Sequence, residues 1–133
     1  MGQVQCYRVP WNGGRISKFE YFYSRHAEQF TFYRIPKALF TDERFSKLSS
    51  DSKVLYGLML DRMGLSRKNG WIDKLDRVYI YFTLGEVMEQ LHCARAKANR
   101  LIAELDTRGI GLIETTRQGL GRANIIYVKY FTS

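Results

Sequence analysis

The sequence predicts an α+β domain, mainly helical, and three observations carry the prediction. Val78, Ile80 and Phe82 alternate with Tyr79 and Tyr81 as a strand would. Thr83-Leu84-Gly85-Glu86 then opens two amphipathic runs separated only by His92-Cys93, a connection short enough for a helix-turn-helix. Finally, Leu112 to Arg117 and Ile125 to Tyr130 are β-prone and flank the glycine-rich, basic loop Gln118-Gly119-Leu120-Gly121-Arg122-Ala123-Asn124. Strand, helix, helix, strand, loop, strand is the order of a winged helix-turn-helix with a β-hairpin wing.

Taken in order, residues 1–29 read as an N-terminal arm or hairpin, because Asn12-Gly13-Gly14 is a hairpin-grade turn signal between segments of moderate alternation. From Phe30, residues 30–35 alternate as a strand with aromatic residues on both faces, which suits a strand covered on both sides, a second copy of the protein being one candidate cover. Pro36 closes that stretch and opens a short helix through Phe40. Ser49 or Ser50 caps the next helix, with Asp51 in its first turn where a negative charge suits the dipole. Val54, Leu55, Leu58 and Met59 recur at helical spacing, and Asn69-Gly70 must end the run.

The threonine and glutamate of Thr83-Leu84-Gly85-Glu86 form a capping box. Leu84, Val87, Met88 and Leu91 give its helix a docking face at i, i+3, i+4 and i+7. Ala94, Ala98, Leu101, Ile102 and Leu105 start the second helix, for which Arg108-Gly109 is the expected stop. The division expected is therefore an arm and candidate dimerisation segment at residues 1–29 and a winged-helix domain at residues 30–133.

The 133 residues suit one domain. Lysine and arginine number 21 against 13 aspartate and glutamate, a formal net charge of +8 and a pI near 9.7. An excess of that size suits a polyanionic partner, nucleic acid or an acidic membrane surface. No apolar run approaches the roughly 20 residues that span a bilayer, and the N-terminus lacks signal-peptide order, so a cytoplasmic protein is expected. In that setting Cys6 and Cys93 read as free thiols. His26, His92, Cys6 and Cys93 lack paired zinc-ligand spacing, and no catalytic triad, phosphate-binding loop or dinucleotide fingerprint is present. Asp73 and Asp76 read as turn formers. Neither enzyme activity nor a metal or cofactor is expected.

Assigning the apolar stripe of the second helix to the core turns Ala96, Asn99, Arg100 and Ala103 outward, with Arg95 and Lys97 at the edges. Ala94 to Arg100 carries three cations and no acid, whereas Glu104 and Asp106 come later. Phosphate repulsion penalises carboxylates on a helix that enters a major groove, and bulky residues block its approach. Arginine pairs with guanine, asparagine with adenine, and an alanine methyl meets a thymine methyl. Arg95, Asn99 and Arg100 are thus the base-reading candidates, with Ala96 at the point of close approach and Lys97 beside them. Taken alone, this face fits a solvated helix equally well. The loop shifts the balance, because Arg117 and Arg122 bracket Gly119 and Gly121, and the glycines let the backbone approach phosphates or a minor groove. Gln118 and Gly121 belong to the same candidate surface. Ser66, Lys68 and Asn69 are candidate phosphate contacts.

Several blocks resemble the N-terminal DNA-binding domain of RepA_N-type plasmid replication initiators of Gram-positive, staphylococcal-type plasmids. They are Tyr33 to Phe40, Leu48-Ser49, Leu55 to Met63, Leu65 to Asp73, Val78 to Thr83 and Arg117 to Val128. The resemblance implies a winged-helix domain that binds repeated double-stranded sites (iterons) at a plasmid origin, as a homodimer. It also implies a further C-terminal domain, not contained in these residues, that recruits host replication proteins. Two departures stand out: Ala94 replaces the small polar residue expected at the start of the reading helix, and the turn after Asp73 lacks its expected glycine. A winged-helix transcriptional regulator and a winged-helix protein-interaction module remain the alternatives.

Overall fold

Residues 19–24, 30–117 and 124–132 are described by the computed structural model. The chain divides into two units, Met1–Thr31 and Phe32–Ser133. In the first, Phe22 meets Phe30 edge-on at 6.0 Å between ring centroids. The Asn12-Gly13-Gly14 turn and the wing tip lie outside the described residues, and with them the expectations for Gln118, Gly121 and Arg122.

The second unit begins with a departure from expectation. Residues 30–36 form no strand, and Phe30, Phe32 and Tyr33 are exposed. The reason lies in what the segment crosses. A Cβ on Gly57 would stand 2.7 Å from Ile35 Cγ1 and 3.1 Å from the Arg34 carbonyl oxygen, so the chain passes over a helix at a glycine rather than along a sheet edge. Pro36 then starts α1 (Ala38–Thr41), its carbonyl accepting from Leu39 N at 3.1 Å. A single 3-10 turn at Glu43–Phe45 follows, capped by the Asp42 side chain. Its buried Phe45 stacks 4.8 Å from Phe131 near the other end of the unit.

Helix α2 (Ser50–Asn69) starts as its sequence dictates, with Ser49 Oγ accepting from Ser52 N at 3.2 Å, and ends at Gly70 in the left-handed region at φ +74°. Leu55, Tyr56, Leu58 and Met59 are buried along it. The Tyr56 hydroxyl donates to the Lys129 carbonyl, and burial pushes its pKa up to about 12. Strand β1 (Tyr79–Tyr81) sends Ile80 into the core and leads to α3 (Leu84–Leu91). The capping box is present in full: Thr83 Oγ1 accepts from Glu86 N at 3.1 Å, and Glu86 Oε1 accepts from Thr83 N at 3.0 Å. His92, left-handed at φ +51°, ends α3.

Helix α4 (Arg95–Leu105) has Ala94 at its N-cap without a side-chain cap bond. It stops earlier than Arg108-Gly109. Asp106 leaves helical geometry at ψ −166°. Its buried carboxylate takes the Arg108 backbone N–H at 2.8 Å, and its carbonyl accepts from both Gly109 and Gly111 at 2.9 Å. Gly109 is required for a different reason than a stop signal, since a Cβ there would lie 2.3 Å from the Glu104 carbonyl oxygen.

Strands β2 (Ile113–Thr116) and β3 (Ile125–Val128) complete an antiparallel sheet of order β1-β3-β2, in register at Tyr79 with Tyr127 and Ile113 with Val128. Ile80, Ile113 and Ile126 face a core shared with Met59, Val87, Ala98, Leu101 and Leu105. This α+β arrangement is the expected winged helix-turn-helix.

Candidate nucleic-acid interface

The orientation of α4 follows from its burial. At about 100° per residue, fully buried Ala98, Leu101 and Leu105 fix its inner side. Lys97 and Glu104 fall on one flank, against the start of α2. There Lys97 Nζ lies 2.6 Å from Asp51 Oδ2, and the Glu104 carboxylate accepts from Ser49 N at 2.8 Å and Ser49 Oγ at 3.1 Å. Asn99, Ile102 and Asp106 fall on the opposite flank and line a groove. Between the flanks Ala96 and Arg100 are exposed, as are Asn99 on the groove flank and Arg95 at the first turn.

Both acids of this region are withdrawn from that outer face. Glu104 is tied to Ser49, and Asp106 is tied to Arg108, whose Nη2 lies 2.8 Å from Oδ2. Burial works against the ionisation of Asp106, but hydrogen bonds from the Arg108 side chain and backbone outweigh it and hold its pKa below the ordinary value. The outward surface is therefore small side chains and cations, as the residue pattern predicts.

The groove has a volume of about 720 Å³. Asn99 stands on its helical wall, Thr83 at the β1–α3 junction, and Thr115, Arg117 and Asn124 on the arms of the wing. Helix α4 and the hairpin thus share one concavity. The α3 side of the helix pair is set by Arg62, which donates to the Tyr81 carbonyl and to Glu86 Oε2, both at 2.7 Å, and lies 4.6 Å from the Phe82 ring centre.

Not every candidate residue gathers here. Lys97 is drawn to Asp51 on the α2 flank. Lys68 and Asn69 are exposed at the end of α2 but do not line the groove. Ser66 is a correction: it is fully buried, so its hydroxyl cannot reach a phosphate, and its Oγ has no hydrogen-bond partner among the described residues. Conversely, Thr83, Thr107, Arg108, Thr115 and Asn124 line the groove, and sequence reasoning did not name them as interface residues. The signal available was local: Arg108 follows an acid at the exit of the reading helix. Among the described residues no cluster of His, Cys, Asp and Glu could hold a metal ion, and no helix is long and apolar enough to cross a membrane.

Residues 31–133 match the family model described as the N-terminus of replication initiator protein A (RepA). The chain belongs to this RepA_N family. A curated relative, the "41 kDa protein" of Lactobacillus helveticus, is 36% identical over 93 residues, covering 70% of this chain and 26% of that protein. The chain thus spans about a quarter of that relative's length. Among solved structures, this RepA_N chain is similar to one described as "Structure of Rep-DNA complex", with a TM-score of 0.68, 33% identity, and coverage of 86% of this chain and 88% of that one. A second, "N-Terminal domain of DNA binding protein", has a TM-score of 0.65, 32% identity, and coverage of 80% and 88%. A third, "Structure of MDR initiator", has a TM-score of 0.63, 31% identity, and coverage of 77% and 80%.

Proposed function

We propose that this domain binds double-stranded DNA sequence-specifically at the repeated sites of a plasmid origin and so starts plasmid replication. The observation that carries the reading is the single groove shared by Asn99 of α4 and by Arg117 and Asn124 of the hairpin arms. A helix and a hairpin that flank one concavity can grip one duplex together, the helix in a major groove and the hairpin on the adjoining backbone or minor groove. Membership of a replication-initiator family supports the origin as the place of binding.

In this reading Arg95, Asn99 and Arg100 read bases, Ala96 allows close approach, and Arg117 holds the flanking strand. Gln118, Gly121 and Arg122 extend that contact from the wing. The protein acts in the cytoplasm as a homodimer joined through its N-terminal segment, with Tyr21 and Phe22 exposed there at 50% and 74% in support. Host replication proteins are recruited by a further C-terminal domain of the full-length initiator, and the domain described here has no enzyme activity.

Footprinting on the protein's own plasmid locates the repeats, after which fluorescence anisotropy tests the helix. Arg100→Ala should cost about 1–3 kcal/mol on the footprinted site and much less on random duplex. Equal losses on both would reassign Arg100 to phosphate contact. Affinity for either DNA that does not change with salt would remove the DNA-binding reading altogether.

A further inference from the structure

Resting on that reading, we infer that the groove between α4 and the wing seats a backbone phosphate of the bound duplex, with Arg108, held in place by Asp106, as its cationic wall. A duplex gripped by a helix in one groove and a hairpin beside it must run a strand of sugar-phosphate between the two. The cavity stands at that crossing, with Asn99 on one side and Arg117 and Asn124 on the other.

The lining has the chemistry of a phosphate seat. Thr107 and Thr115 bring hydroxyls, and Asn99 and Asn124 bring amides, all of which can donate to phosphate oxygens, while the Thr83 hydroxyl is turned to Glu86 Oε1 at 3.4 Å. Arg108 and Arg117 bring positive charge. The carboxylate in the lining is Asp106, whose side chain is only 8% exposed and whose two oxygens are both engaged by Arg108. No acid is left to repel an anion among the described residues of the wall.

Arg108 is also preorganised. Asp106 takes its Nε at 3.1 Å and its Nη2 at 2.8 Å, which fixes the guanidinium plane, while 67% of the side chain stays exposed. A planar fork already held on one edge loses little freedom when its other edge meets a phosphate. The base-reading candidates contribute sequence preference. Arg108 and Thr115 should contribute affinity that is blind to sequence, because every phosphate is alike.

The test is the salt dependence of binding to a fluorescein-labelled, mixed-sequence duplex, measured by anisotropy on the whole chain. Arg108→Gln keeps a donor for Asp106 and removes the charge, and it should flatten the slope of log affinity against log salt by about 0.9, the share of one phosphate. Arg108→Lys keeps the charge and should restore the wild-type slope. Thr115→Val, an isosteric change on an exposed strand position, should weaken binding about two- to fivefold with the slope and the melting temperature unchanged. A wild-type slope in Arg108→Gln, an equal flattening in Arg108→Lys, or unaltered affinity in Thr115→Val would each overturn the phosphate seat while leaving duplex binding intact. A wild-type protein with no salt-dependent affinity would instead remove the DNA-binding reading on which the seat rests.

Discussion

Ser66 illustrates how one side chain's role depends on helical phase more than on its neighbours. Within Ser66-Arg67-Lys68-Asn69, near a helix end, a hydroxyl reads as surface chemistry. Yet Ser66 stands seven residues after buried Met59, on the same stripe of α2, and is itself fully buried. Its Oγ has no partner among the described residues, so the folded state carries a desolvated hydroxyl that water would satisfy in the unfolded chain. Ser66→Ala should therefore raise stability by up to about 1 kcal/mol, measured by chemical denaturation, and leave DNA affinity unchanged. A clear loss of affinity in that variant would return Ser66 to the interface. The phase that decides the matter was available in the sequence, since counting in sevens from Met59 reaches Ser66.

Between α2 and β1 the chain turns on one carboxylate. Asp73 Oδ1 accepts from Leu75 N and Arg77 N, both at 2.9 Å, and Oδ2 accepts from Arg77 Nε at 2.8 Å and the Tyr127 hydroxyl at 2.9 Å. The Arg77 backbone bond leads in lowering its pKa from the ordinary 3.8 to about 2, helped by Tyr127, the Arg77 side chain and Leu75 and opposed by burial. A carboxyl depressed on folding stabilises the protein fully above its unfolded pKa, and that contribution is lost as pH falls through the folded one. Wild type and Asp73→Asn should thus differ most in melting temperature above pH 4, and the gap should close toward pH 2. A gap independent of pH would show that the turn does not depend on this charge. The same loop marks the limit of sequence reading. In this turn, which lacks the glycine that the family resemblance leads one to expect, Asp76 adopts the left-handed conformation at φ +66°, which aspartate tolerates better than most residues. Ser49, Thr83 and Gly70 were legible as helix ends because each acts on backbone within a few residues of itself. The end of α4 was not legible, because Asp106 stops it through burial and Arg108, and Gly109 matters for its approach to the Glu104 carbonyl. Thr83, Asn99, Thr115 and Asn124 meet only once separate elements pack, so no spacing along the chain could have grouped them.

At the scale of the whole molecule, the core that fixes α4 and the sheet draws its described residues from Ile35 to Phe131. The winged-helix unit therefore holds its own interior. Within the first unit Tyr21 and Phe22 are exposed. Solvated rings at this density suit association, since burying them against a second copy would remove apolar area from water. Two domains linked in this way would place two α4 helices on one duplex, about one helical turn or a multiple of it apart, and would release counterions from both sites in one binding event. Deleting residues 1–29 should then leave a folded domain with an intact melting transition, reduce the mass in light scattering to that of a monomer, and roughly halve the salt slope on origin DNA. An untruncated 133-residue chain that is already monomeric at micromolar concentration, or a truncated chain that keeps the mass of a dimer, would place the dimer contact elsewhere. Retention of the full salt slope by a monomeric truncation would mean that one domain makes all the phosphate contacts, and that the N-terminal segment serves something other than pairing on DNA.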